Sequence, residues 1–536
     1  MCLTPPLKKT ASLRRRAWRR LGIGALVMAQ LMAGVPPAQA QLPGMGDGGE
    51  MTAAAERRLG DQIARELFRD PDYIDDPVIG DYVQGIWQRL MAGARMRGEL
   101  TPELDERFAW VVLTGRDRSI NAFALPGGYL GLHLGLVAVT DSADELATVL
   151  GHELSHVTQR HIARLMAKQG RQLPLMLAAM VLGAIAASKS RTGDAGQAMI
   201  MGGQALLVQN QLDFSRDMER EADRVGFGVM TQAGFAPQGA ASMFEKLQYA
   251  SRLNDNGSYP YLRSHPLNSE RISDMQARFQ FRDSAGAPPV ATPGATASPP
   301  VATRAPRMDH ALIAARARVL SRPGVDVLRL WIDATSGGDF ERRTPVQQAA
   351  LLCAGALAAS ELRDLRTARA LADRLAVRTA DDAASARLAR LLQAELALAA
   401  GDAARAQALL DVRSRERAEM LLSAQAALAL RRPAPMVAPL RDWVATHPRD
   451  ATVWRTLGNL YGAQGDTLRA IRADAESQVA TLDYAAARDR LKAAQEIVAR
   501  GSAGAAVDHY EASIVDTRAR AVDALLREQQ AEPPAR

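Results

Sequence analysis

At 536 residues the chain is long enough for two to four domains that each bury a core, which excludes a miniprotein. Apolar residues make up 47% and charged residues 23%, ordinary globular proportions, and 5% aromatics beside abundant alanine favours helix over sheet. The formal charge of +7 sits wholly in Lys8, Lys9, Arg14, Arg15, Arg16, Arg19 and Arg20; residues 41–536 carry 59 bases and 59 acids, so no nucleic-acid partner is expected.

Those seven cations open a leader with an apolar run, Leu21 to Val35, and the small-residue pattern Ala38-Gln39-Ala40 before Gln41. Residues 1–40 therefore read as a secretory signal peptide cut after Ala40. As a helix the run would rise about 22 Å, short of a ~30 Å hydrocarbon core, so a retained anchor is the weaker reading. The mature chain would keep one cysteine, Cys353, which allows no intramolecular disulfide, and no cysteine follows the run to accept a lipid. The expectation is an exported, soluble product.

Helical patterns are predicted over Met51 to Asp70 and Pro77 to Met96, then a short strand from Phe108 to Leu113. Pro126-Gly127-Gly128 marks a turn, after which Leu130, Leu132 and Leu134 alternate with Tyr129, Gly131 and His133 as in a strand with one buried face. Ser142 and Glu145 have capping-box spacing at the start of a long helix reaching about Lys168. A further helix carries FSRDMEREAD and stops near Gly234. Residues 283–307, with six prolines and no apolar periodicity, read as an interdomain linker. Beyond it the Ala-, Leu- and Arg-rich sequence is helical, with breaks near Gly401, Pro433 and Gly465. Trp454, Leu457, Gly458, Tyr461 and Ala470 fall at tetratricopeptide offsets, and Gly401-Asp402 echoes Gly465-Asp466 at a distance of 64 residues, near two 34-residue periods. The alternative is a nonrepetitive Ala-rich bundle.

The chemistry lies in Gly151-His152-Glu153-Leu154-Ser155-His156. Histidines four apart on a helix share a face and can bind one zinc ion, and the glutamate between them can take a proton from an attacking water. A third protein ligand is needed. Glu219 and Asp223 also share a helical face, so that one could ligate while the other holds a ligand histidine through its second nitrogen; Glu221 points about 200° away from Glu219. His161 stands nine residues after His152, on the opposite side of a continuous helix, and reads as structural. His133 is expected at the surface rather than facing substrate. His310, His447 and His509 lack ligand spacing.

NAFALPGGYL, GHELSHV, FSRDMEREAD and SHPLNSER occur in the order shown by the zinc metallopeptidases that include HtpX and the CAAX prenyl endopeptidases, and residues 50–281 resemble that family. With the export signal and C-terminal repeats the chain is similar to a periplasmic branch of it. The resemblance implies one Zn2+ per subunit, Glu219 as third ligand and Asp223 as its neighbour in support of the zinc site. It further implies that His265 can occupy the open zinc position and hold the protease shut. Arg271, six residues on, would stabilise an oxyanion or fix this loop. The strand bearing Tyr129, Gly131 and His133 would be an edge to which a substrate peptide adds. Clients would be unfolded or misassembled outer-membrane proteins, and the repeats would dock the barrel assembly machinery.

The reading is thus α+β: a mostly helical zinc-metallopeptidase domain with a small sheet (41–282), the linker, an all-α tetratricopeptide-like domain (308–510), and a C-terminal helix and tail (511–536). Leu173 to Ser188 and Ala198 to Val208 are apolar but short, and read as helices packed over the active site or touching a membrane surface. The function expected is an exported zinc endopeptidase in outer-membrane protein quality control, with chaperone activity beside it; the alternative is mainly a chaperone or scaffold whose zinc site His265 holds shut.

Overall fold

A computed structural model describes residues 51–169, 215–252, 260–285, 307–500 and 508–531. The leader, the two apolar stretches and most of the linker lie outside them. Helix α1 (Ala53–Phe68) starts where the Thr52 hydroxyl accepts from the Ala55 N–H, and α2 (Pro77–Met96) where the Asp76 carboxylate accepts from the Ile79 N–H, with Pro77 in its first turn. Ile79, Val83, Ile86, Leu90 and Trp87 form the buried stripe of α2. After a short α3 (Pro102–Arg107) come β1 (Val111–Gly115), β2 (Ala122–Leu125) and β3 (Tyr129–His133).

The sheet order is β1-β3-β2, with β1 parallel and β2 antiparallel to β3. This corrects the edge-strand expectation for Tyr129, Gly131 and His133: β3 is the central strand, with both of its sides already hydrogen-bonded. Nor does it have one wet face, since all five residues are buried. The Tyr129 hydroxyl donates to Asp61, and Gly131 leaves room for the Phe123 ring, which would lie 2.2 Å from a Cβ there. His133 is buried, not exposed, with Nδ1 2.8 Å from the Ser119 hydroxyl. The outer strands are β1, backed by Tyr73 and Ile74, and β2.

Leu134–Val139 (α4) leads into α5 (Ala143–Thr158), whose Ser142 cap accepts from the Glu145 N–H. The return half of the capping box is displaced: Glu145 accepts from the Asp141 N–H instead, and also holds Ser242 and Lys246. The expected long helix breaks after Thr158, because Arg160 adopts φ 52° and α6 (His161–Gln169) starts afresh. Next come α7 (Arg216–Gln232), α8 (Gln238–Arg252), the single turn α9 (Tyr261–Ser264) and α10 (Ser269–Ala285). Helices α5 and α7 meet at paired glycines, where a Cβ on Gly226 would lie 2.9 Å from the Gly151 carbonyl oxygen. Side chains there would hold the helices apart.

The C-terminal part is all-α: α11 (Met308–Leu320), α12 (Val325–Asp333), α13 (Pro345–Glu361), α14 (Leu365–Arg378), α15 (Ala383–Ala399), α16 (Ala403–Leu409), α17 (Arg417–Ala429), α18 (Ala434–Thr446), α19 (Ala451–Ala463), α20 (Thr467–Ala480), α21 (Tyr484–Arg500) and α22 (His509–Ala531). Gly401 and Gly465 take φ of 78° and 79° at the expected breaks. Gly458 lets α19 approach α20, its missing Cβ 3.2 Å from the Ala470 carbonyl oxygen.

This helical part packs on the N-terminal end of α2. Arg316 of α11 pairs with Asp76 and Glu395 at 2.6 and 2.7 Å, and Arg417 of α17 reaches Asp75 and Asp450. His310 joins Tyr82 to Thr140 through its two ring nitrogens. Asp81 accepts from the Ala418 N–H, but burial pushes its carboxyl up to about 6. A carboxyl that holds its proton more tightly when folded loses stability as pH rises from the ordinary value near 4 to 6, and the deficit persists above. Asp81→Asn, which keeps an acceptor, should therefore raise stability at pH 8 by about 1–2 kcal/mol, allowing for partial exposure, with the gain vanishing near pH 4. Denaturant midpoints at the two pH values check this; a loss of stability at pH 8 would contradict it.

Candidate active site and metal centre

The Gly151–Gly226 crossing sets the site. One turn before Gly226, α7 carries Asp223; one turn earlier still, it carries Glu219. Both therefore meet the His152 and His156 face of α5. The loop after α9 adds His265. Among the described residues these converge as one buried metal-capable cluster, His152, His156, Glu219 and His265, with donor atoms within 4.8 Å of one another.

The Nε2 atoms of His152 and His156 are 3.0 Å apart, each is 3.4 Å from a Glu219 oxygen, and His265 Nδ1 lies 2.9 Å from Glu219 and 3.4 Å from His152. Four ligands at zinc bond lengths form a tetrahedron with edges of about 3.3 Å, so these separations fit a zinc ion. The outward nitrogens agree. His152 Nδ1 is 3.0 Å from Asp223 Oδ1, which draws the ring proton there and turns the Nε2 lone pair inward.

The electrostatics suit a cation. Burial opposes a proton on His152, but Asp223 and Glu219 outweigh it and push the imidazole up to about 10. Burial holds His156 well below its ordinary value. Burial likewise opposes charge on Glu219, yet His265, His152 and His156 keep its carboxyl well below the usual range. The metal-free cluster thus pairs an ionised Glu219 and a neutral His156 with a protonated His152, whose Nε2 proton a bound cation would replace.

Glu153 is fully buried beside this cluster, and neither of its oxygens has an aligned hydrogen-bond partner among the described residues. His265 Nε2 approaches Oε1 to 3.5 Å. Burial pushes its carboxyl up. A buried carboxylate without such partners is costly, and poised to take a proton.

Arg271 gives Nε and Nη2 to Asp223 at 2.7 and 2.9 Å, while Nη1 meets Glu219 and the Pro266 carbonyl. Of the two roles open to it, this geometry favours fixing the loop and the carboxylates. Burial works against charge on Asp223, but Arg271 and His152 hold its carboxyl down.

His161 departs from its expected place. The left-handed turn at Arg160 swings it under the metal cluster, with Nδ1 3.0 Å from His156 Nδ1 and Nε2 3.1 Å from Glu221. Spacing alone misses this, because it assumes an unbroken helix. Glu221 is not among the cluster's donors and pairs instead with His161 and Arg164. Along the sheet, it is β2 that runs beside α5, and the Ala124 backbone lies near Glu153.

A helix bearing two histidines and a glutamate, completed by a glutamate from a second helix, defines a metallopeptidase-type zinc centre. Residues 81–279 match the model of Peptidase family M48. The chain is 34% identical over 266 residues to the beta-barrel assembly-enhancing protease of Escherichia coli K12, covering 48% of this chain and 51% of that one. It is 37% identical over 247 residues to that of Yersinia pestis, covering 46% and 48%. The mitochondrial metalloendopeptidase OMA1 of Arabidopsis thaliana is 33% identical over 168 residues, 31% of each chain. The matched stretch thus spans about half the length of the bacterial relatives. Among the described residues no helix is long and apolar enough to cross a membrane.

Proposed function

We propose that the chain is an exported zinc endopeptidase of the periplasm that cleaves unfolded or misassembled outer-membrane β-barrel proteins. The carrying observation is Glu153, buried without an aligned partner beside four converging donors. The names of the bacterial relatives support the client class, and the leader supports export. His152, His156 and Glu219 would hold the zinc, which when bound supplies Lewis acidity toward a peptide carbonyl. Glu153 takes a proton from the attacking water on a carboxylate oxygen and returns it to the leaving nitrogen. Asp223 orients His152 through Nδ1, and Arg271 holds Asp223 and Glu219 in place. Strand β2 is the edge beside which an extended substrate would align by backbone hydrogen bonds. The C-terminal helices would dock assembly machinery, as stacked tetratricopeptide-like pairs do.

His265 favours the second reading, in which chaperone or scaffold action dominates. Its Nδ1 sits among the metal donors while Nε2 approaches Glu153, so one side chain covers both the fourth ligand position and the base. Cleavage then requires this loop to move. His265→Ala should raise the rate on an unfolded protein about tenfold or more if the closed state dominates. A rate at or below that of the native chain would contradict the gate, and a variant lacking Glu153 that still restores client assembly in cells would favour the scaffold reading.

A further inference from the structure

His156 is backed differently from His152. Among the described residues its outward Nδ1 meets His161 Nδ1 at 3.0 Å, and His161 Nε2 then meets Glu221 Oε2 at 3.1 Å. Arg164, one turn into α6, pairs with the same Glu221 oxygen at 2.8 Å. His161 is completely buried, while Glu221 is about a quarter exposed. The arrangement depends on the chain break. An unbroken helix would carry His161 around to another face, and only the φ of 52° at Arg160 returns its ring beneath His156.

Two imidazole nitrogens at hydrogen-bond distance require one donor and one acceptor. His156 would hold a metal through the Nε2 lone pair, which would leave its ring proton on Nδ1. His161 must then accept at Nδ1, so its own proton stands on Nε2, where the Glu221 carboxylate accepts it. Every tautomer in the chain is fixed by the one before it. We propose that His161 and Glu221 are positioning residues for the metal centre, a relay that locks the orientation and tautomer of His156 and carries the Glu221 charge to it through an intervening imidazole. The proposal rests on the zinc reading above. It also gives α7 a double role: Glu219 ligates directly, and Glu221, two residues on, supports a ligand from behind.

Outer partners of ligating histidines typically change metal affinity by about 10- to 100-fold. The test is the zinc dissociation constant of the purified protein, by competition with a chromophoric chelator, together with the melting temperature of the metal-stripped form. His161→Phe fills the space but cannot accept. It should weaken zinc binding by about 10- to 100-fold with little change in metal-free melting. His161→Asn places a carbonyl oxygen where Nδ1 stood and should recover most of the loss. Glu221→Ala, at a part-exposed site that tolerates truncation, should weaken binding in the same direction by less. Zinc affinity of His161→Phe within about twofold of native, or equal losses for Phe and Asn, would overturn the relay, the latter by assigning His161 a packing role. Unchanged affinity in Glu221→Ala would overturn it as stated. Should the native protein bind no zinc, the zinc reading falls as well, whereas tight native binding with an indifferent His161 removes the relay alone.

Discussion

Glu153→Gln is expected to reduce peptide-bond cleavage by at least about 10²- to 10⁴-fold while zinc remains bound. The substitution preserves shape and removes the buried carboxylate proposed to accept the water proton. The Glu153 carboxylate lies 3.5 Å from His265 Nε2, while it is Nδ1 of that ring that sits among the metal donors. The folded state should not suffer. Burial already pushes the Glu153 carboxyl up, so a neutral amide relieves a buried charge. Melting temperature should hold or rise, and inactivity with full zinc content and intact melting separates a lost base from a lost fold. Equal cleavage by native and variant protein would reject the role.

The second large effect is structural. Arg316 is 7% exposed at its side chain and bridges Asp76, itself the cap of α2, to Glu395 of α15. Burial works against the Asp76 charge, yet Arg316 holds its carboxyl below the usual range. A depressed carboxyl contributes stability above its unfolded value near 4, and loses it as pH falls through the folded value. Arg316→Ala leaves two acids without their cation, one buried, and should cost about 3–5 kcal/mol at neutral pH. It should also loosen the contact between α11 and the peptidase part, since His310, two turns earlier, reaches Tyr82 and Thr140 across the same boundary. Denaturant unfolding checks this; a change below about 1 kcal/mol would show the bridge to be neutral.

Local chemistry was legible in the sequence wherever it depended on spacing along one helix. His152 with His156, and Glu219 with Asp223, share faces because four residues make just over one turn, and the structure brings both pairs together. Sheet order was not legible. The alternation in Tyr129 to Leu134 marks a strand but cannot say what pairs on either side, and β3 proved central because β1 returns parallel to it while β2 pairs through the Gly127-Gly128 turn. His161 was missed for a related reason: a left-handed arginine leaves no compositional mark, so the helix appeared continuous. The packing of the helical part on α2 was equally hidden, since Arg316 and Arg417 look like any arginines on a charged helix until Asp75 and Asp76 are placed beside them.

The proposed zinc centre rests on His152, His156 and Glu219, is worked by Glu153 and is covered by His265. The most direct measurement is zinc content and cleavage of an unfolded protein, side by side, for the native chain, Glu153→Gln and His265→Ala. About one zinc is expected in native and Glu153→Gln protein, with slow native cleavage, faster cleavage by His265→Ala and at least about 10²-fold slower cleavage by Glu153→Gln. Native protein without zinc, or Glu153→Gln cleaving at the native rate, would contradict this reading.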